Sequence, residues 1–196
     1  KLSTGFATYM RYLLPRLHNC GKYEIAEHAI YCDKYHPELD APWQIYPNMP
    51  DPRNPHEVEM FKKNEIHNQF GAWKFDEICL DFKPDIVIGI SDIWMTSHIT
   101  KSPFRKYFKQ VQMITCDGEP QKQEWIDEYK TYDLVLTYSQ WAKEVTERQS
   151  GGTRKVFGVP SPGTDLNIFH PPADKKGLRE SLGLKSDIFL VNTVMR

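Results

Sequence analysis

A doubly wound α/β domain built on a parallel sheet is the fold class that this sequence predicts, and three observations predict it. The run Ile86-Val87-Ile88-Gly89-Ile90 follows a helix stop at Lys83-Pro84 and is continuous rather than alternating, as in a strand buried on both faces. Downstream, strand-like and helix-like stretches take turns: strand 111–116, helix 121–132, strand 134–138, helix 139–149, strand 155–159. Upstream, a helical pattern at 5–17 leads into a strand at 24–32, the helix-then-strand order of a βαβ unit whose first strand is missing.

Each element has its own warrant. Phe6, Tyr9, Met10, Leu13, Leu14 and Leu17 recur at three- and four-residue steps, which marks an amphipathic helix with Ser3 or Thr4 as its cap. Ile25, Ala29, Ile30 and Tyr31 carry the strand at 24–32. Residues 33–56 hold six of the fourteen prolines, which remove backbone donors and restrict their predecessors, so an irregular excursion with one short strand near Trp43 and Tyr46 is expected. Residues 57–82 read as helix, broken near Gly71. A last helix at 175–182 and a strand at 188–194 would open a second domain. The chain lacks an initiator Met and stops abruptly after that strand, so both ends read as cut.

Composition narrows the partners. At 196 residues there is room for one full domain and the start of another. A net charge of -1 and a pI near 6.7 give no global field toward nucleic acid or an anionic membrane, so an anionic ligand must be bound locally. Cys20, Cys32, Cys79 and Cys116 form no C-x-x-C pair and no metal-like spacing, which suits free thiols in a reducing, cytoplasmic compartment and predicts no metal site. No apolar run approaches the ~18 residues of a membrane helix, and the first residues lack a signal-peptide apolar region.

Open parallel sheets bind ligands at the carboxyl ends of their strands, so the residues just after each apolar run are the candidates. Thr4 and Gly5 stand at the first helix start, where unpaired N–H groups and a glycine could receive a phosphate, or where Thr4 is a plain cap. Asp92, after the 86–90 run, either caps the next helix or projects into the crevice. Trp94 beside it either stacks on a sugar ring or joins the core. Asp117 and Glu119, in Cys116-Asp117-Gly118-Glu119-Pro120, either hold hydroxyls and move protons or serve the turn.

The stretch Lys155-Val156-Phe157-Gly158-Val159-Pro160-Ser161-Pro162-Gly163-Thr164-Asp165-Leu166-Asn167-Ile168-Phe169-His170-Pro171 resembles the interdomain crossover "V-x-V-I-P-N-G-V-D-x-x-x-F-x-P" of GT-B fold glycosyltransferases, family-four-like retaining enzymes above all. Ile114-Thr115-Cys116-Asp117 resembles the family's "T-x-H-D" with Cys116 for the His, and Tyr138-Ser139-Gln140-Trp141-Ala142-Lys143 resembles its "S-x-W-x-K/A" segment, in which Ser139 caps a helix. Thr193-Val194-Met195-Arg196 resembles "G-x-V-G-R", with Asn192 and Met195 where glycine is common.

The resemblance implies a Rossmann-like, acceptor-side N-terminal domain over 1–170, lacking its first strand, and over 171–196 the linker, helix and first strand of a donor domain. It implies transfer of a sugar from a nucleotide-sugar donor to an acceptor hydroxyl of a glycan or small molecule, with retention and without a metal cofactor. Asp92 and Asp117 would be catalytic. Thr4, Gly5, Glu119, Asp165 and Arg196 would bind substrate, Arg196 holding the donor pyrophosphate with its forked guanidinium. With most donor contacts absent, the isolated chain would be inactive. Two alternatives stand beside this reading: a nonenzymatic α/β binding or assembly module, in which an exposed 188–194 strand pairs copies of the chain, and a GT-B sugar-nucleotide epimerase.

Overall fold

The computed structural model describes residues 4–37, 39–185 and 187–191, in two compact units, Lys1–Pro162 and Gly163–Arg196. The first unit is mixed α/β with parallel strands in two small sheets, compatible with a Rossmann-like fold.

Helix α1 spans Gly5–Asn19 and starts at Thr4, whose Oγ1 accepts the Ala7 N–H at 3.2 Å. Strands β1 (Ala26–Ala29) and β2 (Gln44–Pro47) pair in parallel, joined by the proline-rich excursion. Just past β2, Asn48 is fully buried and acts as a hub. Its Nδ2 donates to the carbonyls of Asn68 at 2.9 Å and Gln69 at 3.1 Å. Its Oδ1 lies 3.2 Å from Nε2 of His28 on β1 and accepts from Trp73 Nε1 at 3.1 Å.

The predicted helical stretch 57–82 resolves into α2 (Pro55–Lys62), α3 (Glu65–Asn68) and α4 (Phe75–Phe82). Gly71 separates the last two with φ +104, a region L side chains rarely adopt, and a Cβ there would lie 2.6 Å from the His28 ring. Helix α4 ends on Lys83 in the left-handed conformation, and Pro84 follows.

Strand β3 (Ile86–Ile90) pairs in parallel with β4 (Lys109–Ile114), and β4 with β5 (Leu134–Thr137). Helix α5 (Ile93–Lys101) and a 3-10 turn at Arg105–Tyr107 link β3 to β4, and α6 (Gln123–Tyr129) links β4 to β5. Ser139 caps α7 (Gln140–Gln149) by accepting the Ala142 N–H at 3.1 Å. Ile93, Ile114, Ile126, Tyr129, Tyr132, Val135 and Val156 form one core cluster, and Phe75, Cys79, Ile99 and Phe108 a second that takes in Val87. The register puts Val87 beside Gln110, Gly89 beside Gln112 and Gln112 beside Val135, so both clusters draw on one face of this sheet. Alternate residues of β3 point the other way, and there Ile86 is 52 % and Ile88 45 % exposed.

The expected strand at 155–159 shrinks to one parallel bridge between Leu136 and Gly158, flanked by Phe157 N–H to Val135 O at 2.9 Å and Thr137 N–H to Gly158 O at 3.1 Å. Pro160 lacks the donor that would continue the ladder. The second unit contains α8 (Lys175–Ser181), capped by Asp174 on the Gly177 N–H at 2.8 Å. Residues 188–191 form no strand pairing among the described residues, and 192–194 of that expected strand lie outside them.

Candidate functional site

Because β3, β4 and β5 run in parallel, their carboxyl ends sit together at one edge of the sheet, and a polar group follows each. Asp92 follows β3, Thr115 follows β4 and Tyr138 follows β5.

Asp92 occupies the N-cap position of α5 without using its side chain to cap; its backbone carbonyl accepts the Met95 N–H at 3.0 Å. The carboxylate turns to β4, where Oδ1 accepts the Thr115 hydroxyl in a short hydrogen bond. An Asp that ordinarily satisfies a helix start is thereby held toward the sheet edge, with Oδ2 unpartnered among the described residues. Tyr138 is also poised. Its hydroxyl is buried without a hydrogen-bond partner among the described residues, and burial pushes its pKa up to about 12, with Tyr9 and Asp92 adding to the rise. Its ring meets Tyr9 of α1 edge-on at 6.1 Å, which brings the first helix to the same edge.

Cys116 and Asp117 belong to this end too: buried Tyr129 is raised first by desolvation and then by Cys116, Glu128, Asp117 and Asp92. Asp117 is exposed and forms no hydrogen bond among the described residues. Burial raises the Cys116 thiol, with Asp117 reinforcing it, so this cysteine cannot stand in as an imidazole-like base near neutrality. Glu119 is exposed and accepts Arg148 Nη2 at 2.6 Å, an ion pair that ties its turn to α7.

Thr4 caps α1, and Gly5 opens the helix with open space where a Cβ would stand, so no neighbouring group requires glycine there. Asp165 lies in the second unit, where Oδ1 accepts the Asn167 N–H at 3.0 Å and shapes its own turn. Arg196 lies outside the described residues. The structure therefore brings Asp92 and Asp117 to one sheet edge, and Thr115 and Tyr138 join them; both follow an apolar run directly, and the carboxyl-end rule applied to each strand would have singled them out.

An aromatic group adjoins Asp92. Trp94, in the first turn of α5 and 44 % exposed, packs against Phe70 with ring centroids 4.9 Å apart, and Phe70 packs against Tyr31 at 6.2 Å. Tyr31 follows the carboxyl end of β1, has φ 57 and donates its hydroxyl to Gln69 Oε1 at 2.9 Å.

Two surface cavities, of about 300 and 250 Å³, lie elsewhere, around Asp85, Tyr107 and Phe108 at the amino ends of β3 and β4. Beside them Asp133 accepts Arg105 at 2.7 Å, Lys109 at 3.0 Å and the Gln110 N–H at 2.9 Å; these contacts outweigh its partial burial and hold its pKa down to about 2. Such a neutralised clamp fits a structural role at the opposite end from the polar edge.

Fold and site together define a parallel-stranded α/β unit with a carboxylate, hydroxyls and exposed aromatics at its carboxyl edge. No protein-family model matches the chain, and no curated protein matches it. Among the described residues, no helix is long and apolar enough to cross a membrane, and no cluster of His, Cys, Asp or Glu could hold a metal ion.

Proposed function

We propose that this chain is the Rossmann-like, acceptor-side domain of a GT-B glycosyltransferase that transfers a sugar from a nucleotide-sugar to an acceptor hydroxyl with retention. The observation that carries the reading is the placement of Asp92: its carboxylate is withdrawn from capping duty, oriented by Thr115, and keeps one oxygen without a partner among the described residues. That oxygen can accept a hydrogen bond from an acceptor hydroxyl and orient its lone pair toward an incoming sugar, with Asp117 as a second carboxylate at the same end. The crossover motif supports the same reading. Double winding belongs to it and would require a further helical layer over Ile86 and Ile88. In this reading Arg196 and the positive end of a helix would face the leaving diphosphate, and no metal cofactor is needed.

Calorimetric titration of the chain with nucleotide-sugars and simple glycosides tests the proposal. Saturable glycoside binding that Asp92→Asn weakens by about 10-fold or more, the range for a hydrogen bond to a charged group, is the expected result. No saturable binding of any of these ligands would overturn it and favour the assembly module. That second reading draws on the apolar edge of β3, which is unpaired among the described residues and could receive another strand.

A further inference from the structure

Resting on the glycosyltransferase reading, we infer that Tyr31, Phe70 and Trp94 form a stacking ledge for the pyranose rings of a carbohydrate acceptor, adjoining Asp92. A pyranose presents a face of C–H groups that packs on an aromatic ring and a rim of hydroxyls that needs hydrogen-bonding partners. The sheet edge supplies both. Trp94, in the first turn of α5, is 44 % exposed and Tyr31, just past β1, 41 %, although both are large aromatic residues. Phe70 stands between them, nearly perpendicular to each at 85° and 87°, and holds them as one group. Asp92, two residues before Trp94 at the same helix start, offers its free carboxylate oxygen to a hydroxyl.

Three features separate this group from ordinary packing. Tyr31 is a non-glycine residue in the left-handed region at φ 57, a conformation that persists where the surroundings enforce it and that gathers at ligand sites. Its hydroxyl is fastened to Gln69, so the ring is fixed rather than free to fold away. Phe70 in turn follows Gln69, whose carbonyl, with that of Asn68, is held by the buried Asn48 amide. The ledge is therefore pre-organised from the hub upward, the arrangement that keeps the cost of ordering a binding surface low. It reaches from the carboxyl end of β1 to that of β3, where parallel sheets receive ligands.

Intrinsic tryptophan fluorescence and the indole N–H resonance of Trp94 should report binding of methyl glucosides, cellobiose and maltotriose to the whole chain, with uridine as a nucleobase probe. Trp94→Ala and Tyr31→Gly should each weaken glycoside binding by at least about tenfold. Tyr31→Gly relieves the left-handed backbone strain, which offsets the lost Gln69 and Phe70 contacts, so its thermal midpoint should stay close to the parent's; Tyr107→Ala, at the opposite end of the sheet, should bind as the parent does. Glycoside binding that both ledge variants retain would overturn the ledge and leave the glycosyltransferase reading standing. A Trp94 response to uridine alone would overturn it in favour of a nucleobase platform. Failure of every probe to bind would overturn the ledge together with the function on which it rests.

Discussion

Acidification should loosen the first unit through His28. The Asn48 amide donates to two carbonyls, which identifies its other atom as the oxygen, so the His28 Nε2 beside it carries the proton. Charging the ring then places a second N–H on Nδ1, on the side packed against Gly71, with no acceptor for it among the described residues. Burial, the neighbouring His98 and Lys74 lower the His28 pKa to about 4 against its opposing hydrogen bond to Asn48; His98 is likewise lowered by burial to about 4.

The folded state thus binds a proton less readily than the unfolded chain. Stability is complete above the unfolded value near 6.5 and is lost as pH falls toward 4. For His28 the full loss is about 3 kcal/mol, trimmed toward about 2 by the partial exposure of the ring, with a slope approaching about 1.4 kcal/mol per pH unit. His98 adds to it, although repulsion between the two rings spreads the second protonation to lower pH. Glu128, raised by burial, works in the opposite direction as pH falls toward its own range. Asp133 and Asp51 are lowered and lose their contribution only below the ordinary carboxylate range, outside the histidine window. Guanidinium unfolding followed by circular dichroism from pH 7.5 to 4.5 should show the midpoint falling, and His28→Gln should flatten the slope between pH 6.5 and 5. An unchanged slope in that variant would refute the reasoning.

Gly89→Ala should destabilise the sheet by about 1–3 kcal/mol in the same unfolding assay, because a Cβ there overlaps the fully buried Gln112 amide lying across β3. Ser139→Ala should cost about 1 kcal/mol by releasing the first turn of α7, with little effect on glycoside affinity. Tyr138→Phe should leave stability unchanged or slightly improved in the same unfolding assay, since it removes a buried hydroxyl without a partner among the described residues; a clear loss of stability would count against that reading.

Strong local signals made much of the α/β pattern legible. The 86–90 run, its alternation with helices downstream, the α1 periodicity and the Ser139 cap all appear where local chemistry places them. Other features depend on distant partners. The break at Gly71 was visible as a glycine, but its cause, contact with a histidine on β1, joins residues far apart in sequence. Strand 24–32 shortened to Ala26–Ala29 because its ladder partner among the described residues is the four-residue β2. At the site, Asp92 was readable as a residue following a strand, whereas its release from capping was not, because that depends on the Thr115 hydroxyl arriving from β4. Trp94 was open between core and ligand contact, and the partners that set it apart, Phe70 and a left-handed Tyr31, meet it only in three dimensions.

The bare edge of β3 bears on how the chain behaves during handling. An apolar, β-branched segment whose outer backbone groups are unpaired among the described residues is a template for cross-strand growth into insoluble assemblies, and its five residues carry no charge. Lys83, Pro84 and Asp85 stand immediately ahead of it, two opposite charges and a missing donor at the point where an added strand would have to extend. They act as gatekeepers, so neutralising Lys83 and Asp85 together should hasten precipitation from concentrated solution even where the fold itself is untouched.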